Sequence, residues 1–220
     1  MALGADTRLL SPFFSVFLFC VALCTFPTTS DALSIVLAGG TGPVGSYLAP
    51  QLQGHSVTVL TRNAFLAAAP SRVTSDFGWL GESFLRKCPH VKLRDWDGGD
   101  LLDIVGRDWI GWQDDIEGAD CIVHLSGGGF TEQRVMACER LVRETYQASN
   151  MHHIIVNPTD DLLAKLSPVA VSMKQKRVQR CEEMIKTNCY QYTCLRSDKK
   201  LAKDVAEEVL AAIREVASTS

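Results

Sequence analysis

The sequence predicts an α/β fold: a doubly wound, mostly parallel sheet in a single domain. Three observations predict it. The stretch from Leu33 to Asn63 reads as strand, glycine-rich turn, helix and second strand. Apolar strand-like runs then alternate with amphipathic stretches as far as the C-terminus. The connections between the runs are long enough for crossover helices, which parallel strands need.

The first strand is Leu33–Ala38, an apolar run. Gly39, Gly42 and Gly45 follow at intervals of three, within Gly39-Gly40-Thr41-Gly42-Pro43-Val44-Gly45. A turn of this kind has three mechanical needs. One glycine allows the tight bend, one lets a pyrophosphate approach bare backbone, and one lets helix and strand pack closely. The helix that follows is expected over Pro43–Gln53, with Pro43 suited to its first turn. Its N-terminus offers N–H groups and a partial positive charge to phosphate. The strand before the turn and the strand after the helix supply the context the motif demands, so a Rossmann-type NAD(P)-binding domain is expected.

The second strand is Ser56–Thr61, closing into Thr61-Arg62-Asn63. An acid at this point would bind the ribose 2′-hydroxyl and favour NAD. Arg62 with no acid suits a 2′-phosphate, so NADP is expected and NAD less so. The segment from Asn63 to Pro89 reads as a short helix at Phe65–Ala68 and another near Asp76–Arg86, with Phe77, Leu80 and Phe84 on one packing face. Val91–Asp95 is the third strand. Asp97 or Asp100 after it could reach an adenine amino group, or serve as turn and cap residues. Leu101–Asp115 reads as helix, with Trp109 and Trp112 against the sheet. Ala119–Leu125 is the fourth strand, and it ends in Ser126, Gly127 and Gly128, small enough to let a ribose or nicotinamide come close. A helix over Phe130–Ala148, a strand at His152–Val156, a polar loop, a helix over Ser172–Lys186, a strand at Tyr190–Leu195 and a helix over Lys203–Val216 complete the chain.

Residues 1–32 are expected to be a targeting leader outside the fold, leaving 33–220 as the domain. Arg8 precedes an apolar stretch from Leu9 to Phe26, and Ser30-Asp31-Ala32 suits signal-peptidase cleavage after Ala32. The alternative is a retained membrane anchor, since about 18 apolar residues approach the length needed to span a bilayer. Entry to the secretory route is therefore expected, ending either in a plastid reached by two-part targeting or in the endoplasmic reticulum lumen or outside. Membrane contact is expected only if the leader is kept. The net charge is −3, with no basic block, which argues against a nucleic-acid partner. Of eight cysteines, Cys20 and Cys24 lie in the leader. The rest (Cys88, Cys121, Cys138, Cys181, Cys189 and Cys194) show no CxxC spacing, so no metal site is expected. Cys121 and Cys194 fall in expected core strands, where a thiol acts as a small apolar group.

Four stretches together carry a resemblance. They are AGGTGPVG (Ala38–Gly45), VTVLTRN (Val57–Asn63), CEEMIKTNCYQYTCLR (Cys181–Arg196) and AKDVAEEVLAAI (Ala202–Ile213). In these the chain resembles the atypical short-chain dehydrogenases/reductases, the NAD-dependent epimerase-like and NmrA-like proteins. The resemblance implies a Rossmann-type fold and a nicotinamide cofactor. It also implies a catalytic Tyr with a Lys four residues later, near the start of the late helix. There the chain departs: no Tyr lies between Tyr146 and Tyr190. The positions expected for the pair fall near Lys174 and Val178. Ser172 with Lys176 keeps the spacing, but an unactivated Ser is a poor proton donor near neutral pH. Lys174, Lys176, Arg177 and Arg180 read more simply as a solvated basic face. Thr159, or Asn157 beside it, could stand near a substrate carbonyl. The chain also lacks room for a substrate lobe after the sixth strand. An NADP(H)-binding sensor, scaffold or assembly factor with an unidentified protein partner is therefore expected. The alternative is a reductase or epimerase-like enzyme with a non-standard acid/base and a small-molecule substrate, because hydride chemistry resides mainly in the cofactor.

Overall fold

Six strands form one parallel sheet in the computed structural model, which describes residues 32–69, 84–96, 98, 111–126, 130–166 and 168–219. They are β1 (Ser34–Ala38), β2 (Ser56–Thr61), β3 (Val91–Asp95), β4 (Cys121–His124), β5 (His152–Pro158) and β6 (Gln191–Ser197), in the order β3-β2-β1-β4-β5-β6. The order reverses between β1 and β4, and the crevice at such a point is where nucleotides bind in doubly wound sheets. The helices are α1 (Pro43–Leu48), α2 (Ala64–Ala68), α3 (Phe84–Lys87), α4 (Trp112–Ile116), α5 (Glu132–Glu144), α6 (Asp160–Leu166), α7 (Val171–Asn188) and α8 (Ala202–Thr219). Much of the expected leader, with Phe77, Leu80, Asp97, Asp100, Trp109, Gly127 and Gly128, lies outside the described residues. No helix among the described residues is long and apolar enough to cross a membrane.

Burial on both faces explains why β1 reads as continuous apolar sequence rather than alternation. Ile35 and Leu37 pack with Leu48 and Leu52 beside α1 and with Val209, Ile213 and Val216 of α8. Val36 and Ala38 face the other way, onto Trp112, Ile116, Ala137 and Leu141 of α4 and α5. A third group, Val135, Cys138, Ile155, Cys181 and Ile185, seals α5 and α7 against β5. Burial pushes the Cys121 thiol up to about 12, with the Asp120 carboxylate adding to the effect, so it behaves as an apolar core group as expected.

The structure corrects five details. Helix α1 stops at Leu48 and tightens into a 3₁₀ turn over Ala49–Gln51, because Pro50 has no N–H for the α-helical bond. The polar stretch after Thr159 contains helix α6. An uninterrupted helix over Leu101–Asp115 does not form. Gly111 is left-handed (φ 65°), and α4 begins only at Trp112. Cys194 is half-buried rather than core, because β6 is the sheet edge. Arg177 and Arg180 are not merely solvated: both bind Glu132 at 3.0 Å.

Candidate functional site

The glycine-rich turn sits at the carboxyl end of β1, against the start of the β4 loop. Gly39 has φ +81°, and its N–H donates to Leu60 O at 2.8 Å. A Cβ there would lie 2.7 Å from Ser126 Cα. Gly39 therefore provides the bend and brings the β1 and β4 loops into contact at the switch point. Gly45 meets the packing need: a Cβ on it would lie 1.9 Å from Gly40 O. Gly40 is tight as well, at 2.7 Å from Leu37 Cβ. Gly42 differs, since its Cβ would meet only Gly39 O, at 3.4 Å. Small size at Gly42 leaves room for something from outside the chain.

The N–H groups show the same division. That of Gly39 is spent on Leu60 O of β2, those of Gly40 and Gly42 on Leu37 O and Gly39 O, and Ser46 N–H bonds Gly42 O. The N–H groups of Thr41, Val44 and Gly45 make no bond among the described residues. Pro43 has none to satisfy. Three unspent N–H groups at the mouth of a turn are suited to an anion with several oxygens. Thr41 Oγ1 and Thr61 Oγ1 lie 3.0 Å apart, which ties the turn to the end of β2. Arg62 and Asn63 follow, both exposed on the same carboxyl edge. Asp95, at the end of β3, accepts from Ala64 N–H at 2.7 Å and holds the start of α2 beside them.

Under the β4 and β5 ends runs a buried polar network absent from the sequence expectations. Arg134 donates to Ser126 O (3.0 Å), Val156 O (2.7 Å) and Asn157 Oδ1 (2.9 Å). Asn157 Nδ2 donates to Glu182 Oε1 at 2.8 Å, and Glu182 binds Arg196 Nε at 2.6 Å. This network fixes the floor of the crevice across four elements. One sequence signal could have revealed it: Arg134 shares the apolar stripe of α5 with Cys138 and Leu141, spaced by four and three. A charge on such a stripe needs buried partners. His124 and His153 form a second buried pair, Nε2 to Nδ1 at 3.1 Å, and His153 Nε2 meets Thr145 Oγ1 at 3.2 Å.

The structure brings Gly39–Gly45, Thr61, Arg62, Asn63 and Ser126 to one edge of the sheet. Thr159 is close in sequence to the end of β5 but is occupied. Its N–H bonds Ser197 O, and its hydroxyl caps α6 through Leu162 N–H at 3.4 Å. Lys174 is half-buried in the first turn of α7, and Ser172 and Lys176 are exposed on that helix. Val178, where the resemblance would place a lysine, is 1% exposed in the core.

No family model and no curated protein matches this sequence. Solved structures do match. One, provisionally named an NAD-dependent epimerase/dehydratase, from Bacillus halodurans, has a TM-score of 0.55 at 12% identity, covering 84% of this chain and 89% of that one. The bulky-bulky ketone specific alcohol dehydrogenase of Comamonas testosteroni gives 0.55 at 11% identity over 85% of each chain. A protein from Thermus thermophilus, provisionally named a short-chain oxidoreductase, gives 0.52 at 13%, covering 82% of this chain and 96% of that one. The chain has a Rossmann-type α/β fold. At these identities the likeness is one of fold, and it agrees with the resemblance carried by Ala38–Gly45.

Proposed function

We propose that the protein binds NADP(H) at the glycine-rich turn and acts as a sensor, scaffold or assembly factor rather than through the usual Tyr–Lys chemistry. The observation that carries the reading is the turn itself: three unspent N–H groups beside a glycine whose Cβ position is open. A pyrophosphate fits that donor set. Thr41, Val44 and Gly45 would hold it, Arg62 would meet a 2′-phosphate, and Ser126 would border the nicotinamide ribose. When bound, the cofactor would supply a hydride. The chain's own groups would bind and orient it. The absence of catalytic turnover is supported by the sequence, which has no Tyr between Tyr146 and Tyr190. It is further supported by the fate of the substitutes, since Thr159 is spent as a helix cap and Asn157 on Arg134 and Glu182. In this reading residues 1–32 target the chain to the secretory route, and N-terminal sequencing of the mature protein should begin at Leu33.

Calorimetric titration with NADPH and NADH tests the proposal. NADPH should bind at least about tenfold more tightly than NADH, a difference of about 1.4 kcal/mol. No heat from either nucleotide would refute cofactor binding. Steady oxidation of NADPH on addition of a panel of aldehydes, ketones and quinones would refute the non-catalytic part and favour the reductase alternative.

A further inference from the structure

Among the described residues nothing pairs with the outer side of the edge strand β6, and most of the usual protection of a sheet edge is missing there. Such edges are guarded by proline, lysine, bulges or a very short strand. Gln191–Ser197 is seven residues long, contains no proline or lysine, and pairs in unbroken register with β5 from His152↔Gln191 to Pro158↔Ser197. Its single charge, Arg196, is turned onto Glu182. Tyr192 is 41% exposed beside the open edge.

The backbone decides which groups that edge offers. Ser197 O accepts from Thr159 N–H, so the N–H and C=O of Ser197 point towards β5. Direction alternates along a strand, so Leu195, Thr193 and Gln191 also bond β5. The N–H and C=O groups of Tyr192, Cys194 and Arg196 therefore point outward. These three residues also share one face: Cys194 packs against the α5–α7 cluster, and Arg196 reaches Glu182 on α7.

We propose that β6 is a homodimer interface, in which two copies pair antiparallel about a two-fold axis at Cys194 and extend the sheet to twelve strands. The outward residues set the register. Cys194 exchanges both backbone bonds with its own copy, and Tyr192 and Arg196 exchange theirs reciprocally. All three outward N–H groups of each strand are satisfied. Tyr192 then lies opposite Arg196 of the second copy, a favourable aromatic–guanidinium pair, at both ends of the ladder. Thr193 lies opposite Leu195, and Gln191 opposite Ser197. No charge faces its like, whereas a two-fold at Arg196 would set that residue against itself. This self-complementarity identifies the occupant as a second copy rather than an unrelated strand. In a hydrogen-bonded antiparallel pair the facing Cα atoms are about 5.5 Å apart. The two Cys194 thiols are then within reach of one short cross-linker.

The test is cross-linking of the purified protein with a short bismaleimide, read on a denaturing gel, with light scattering across a concentration series. The expected result is a dimer whose cross-link persists in Cys189→Ser and is lost in Cys194→Ser. Cys194→Pro removes the central outward N–H while sparing every bond to β5, so it should be monomeric with its fold retained. If that variant does not fold, the two serine variants decide. A monomer at every concentration overturns the proposal, as does a cross-link that survives Cys194→Ser. Self-association that persists in a folded Cys194→Pro protein also overturns it, because the contact then lies elsewhere, in the leader or on another face.

Discussion

Acidification should destabilise this protein through His153. Its ring is almost fully buried, and its two nitrogens are committed. Thr145 Oγ1 donates to Leu141 O at 2.8 Å, so it must accept from His153 Nε2–H. His153 Nδ1 is then the acceptor for His124 Nε2–H. A second proton on His153 would have no acceptor and would point at a donor. Burial, helped by the neighbouring His152, lowers His153 from an ordinary 6.5 to about 4. Burial also lowers His124 well below its usual range, with His153 and Arg134 adding to the effect. The folded pKa lies below the unfolded one, so between these values the unfolded chain binds a proton that the native state refuses. Stability is full above about pH 6.5 and falls as the pH drops towards 4. At about 1.36 kcal/mol per unit, His153 alone removes about 2.5 kcal/mol by pH 4.5. That is a large part of a typical domain's 5–15 kcal/mol, roughly. Carboxylates titrate over the same range, so the assay compares the wild type with His153→Gln, whose amide cannot titrate. Urea unfolding at pH 7 and pH 4.5 should show the stability gap between them shifting in the variant's favour by about 2.5 kcal/mol. Equal pH slopes would refute the reasoning, because His153 would then bind protons alike in both states.

Other substitutions separate fold from binding. Gly45→Ala places a methyl 1.9 Å from Gly40 O, a backbone atom that cannot retreat. It should cost more than about 3 kcal/mol, read as a large fall in melting temperature. Gly42→Ala meets nothing closer than 3.4 Å. Its melting temperature should stay near wild type while NADPH affinity falls at least about tenfold, or about 1.4 kcal/mol. Arg62→Ala should weaken NADPH by about tenfold and leave NADH nearly unchanged, because only the former carries a 2′-phosphate. Glu182→Ala strips Asn157 Nδ2 of its acceptor and leaves Arg196 only Pro158 O and the more distant Asp160. Complete burial would put the loss at about 3–5 kcal/mol. The Arg196 side chain is 33% exposed, so a loss of roughly 2 kcal/mol is expected in urea unfolding, with Glu182→Gln closer to wild type.

Much of the fold could be read directly from residue order. Ile35, Val36 and Leu37 form an uninterrupted apolar run because a central parallel strand is covered on both faces. The glycines at 39, 42 and 45 mark a turn whose backbone contacts leave no space for a side chain at 39 or 45, while 42 stays open. These are local signals, carried by neighbours in sequence. Helix α6 was harder to see because Asp160 and Asp161 look like loop residues until Thr159 is seen capping them. The end of α1 was legible in principle from Pro50. The left-handed start at Gly111 was not, since glycine permits that conformation without requiring it.

The sequence by itself determined the alternation of strands and helices, the glycine-rich turn after β1, the absence of an acid after β2 and the absence of a tyrosine between Tyr146 and Tyr190. Each depends on residue type within one short stretch. Only the tertiary structure decided which polar residues work together. Arg134, Asn157, Glu182 and Arg196 are far apart in the chain and meet only where α5, β5, α7 and β6 converge. The same is true of His124 with His153, and of β6, whose place at the sheet edge leaves Cys194 half-buried. Burial and pairing are properties of distance in space, and for such groups desolvation, rather than residue type, sets charge, partner and role.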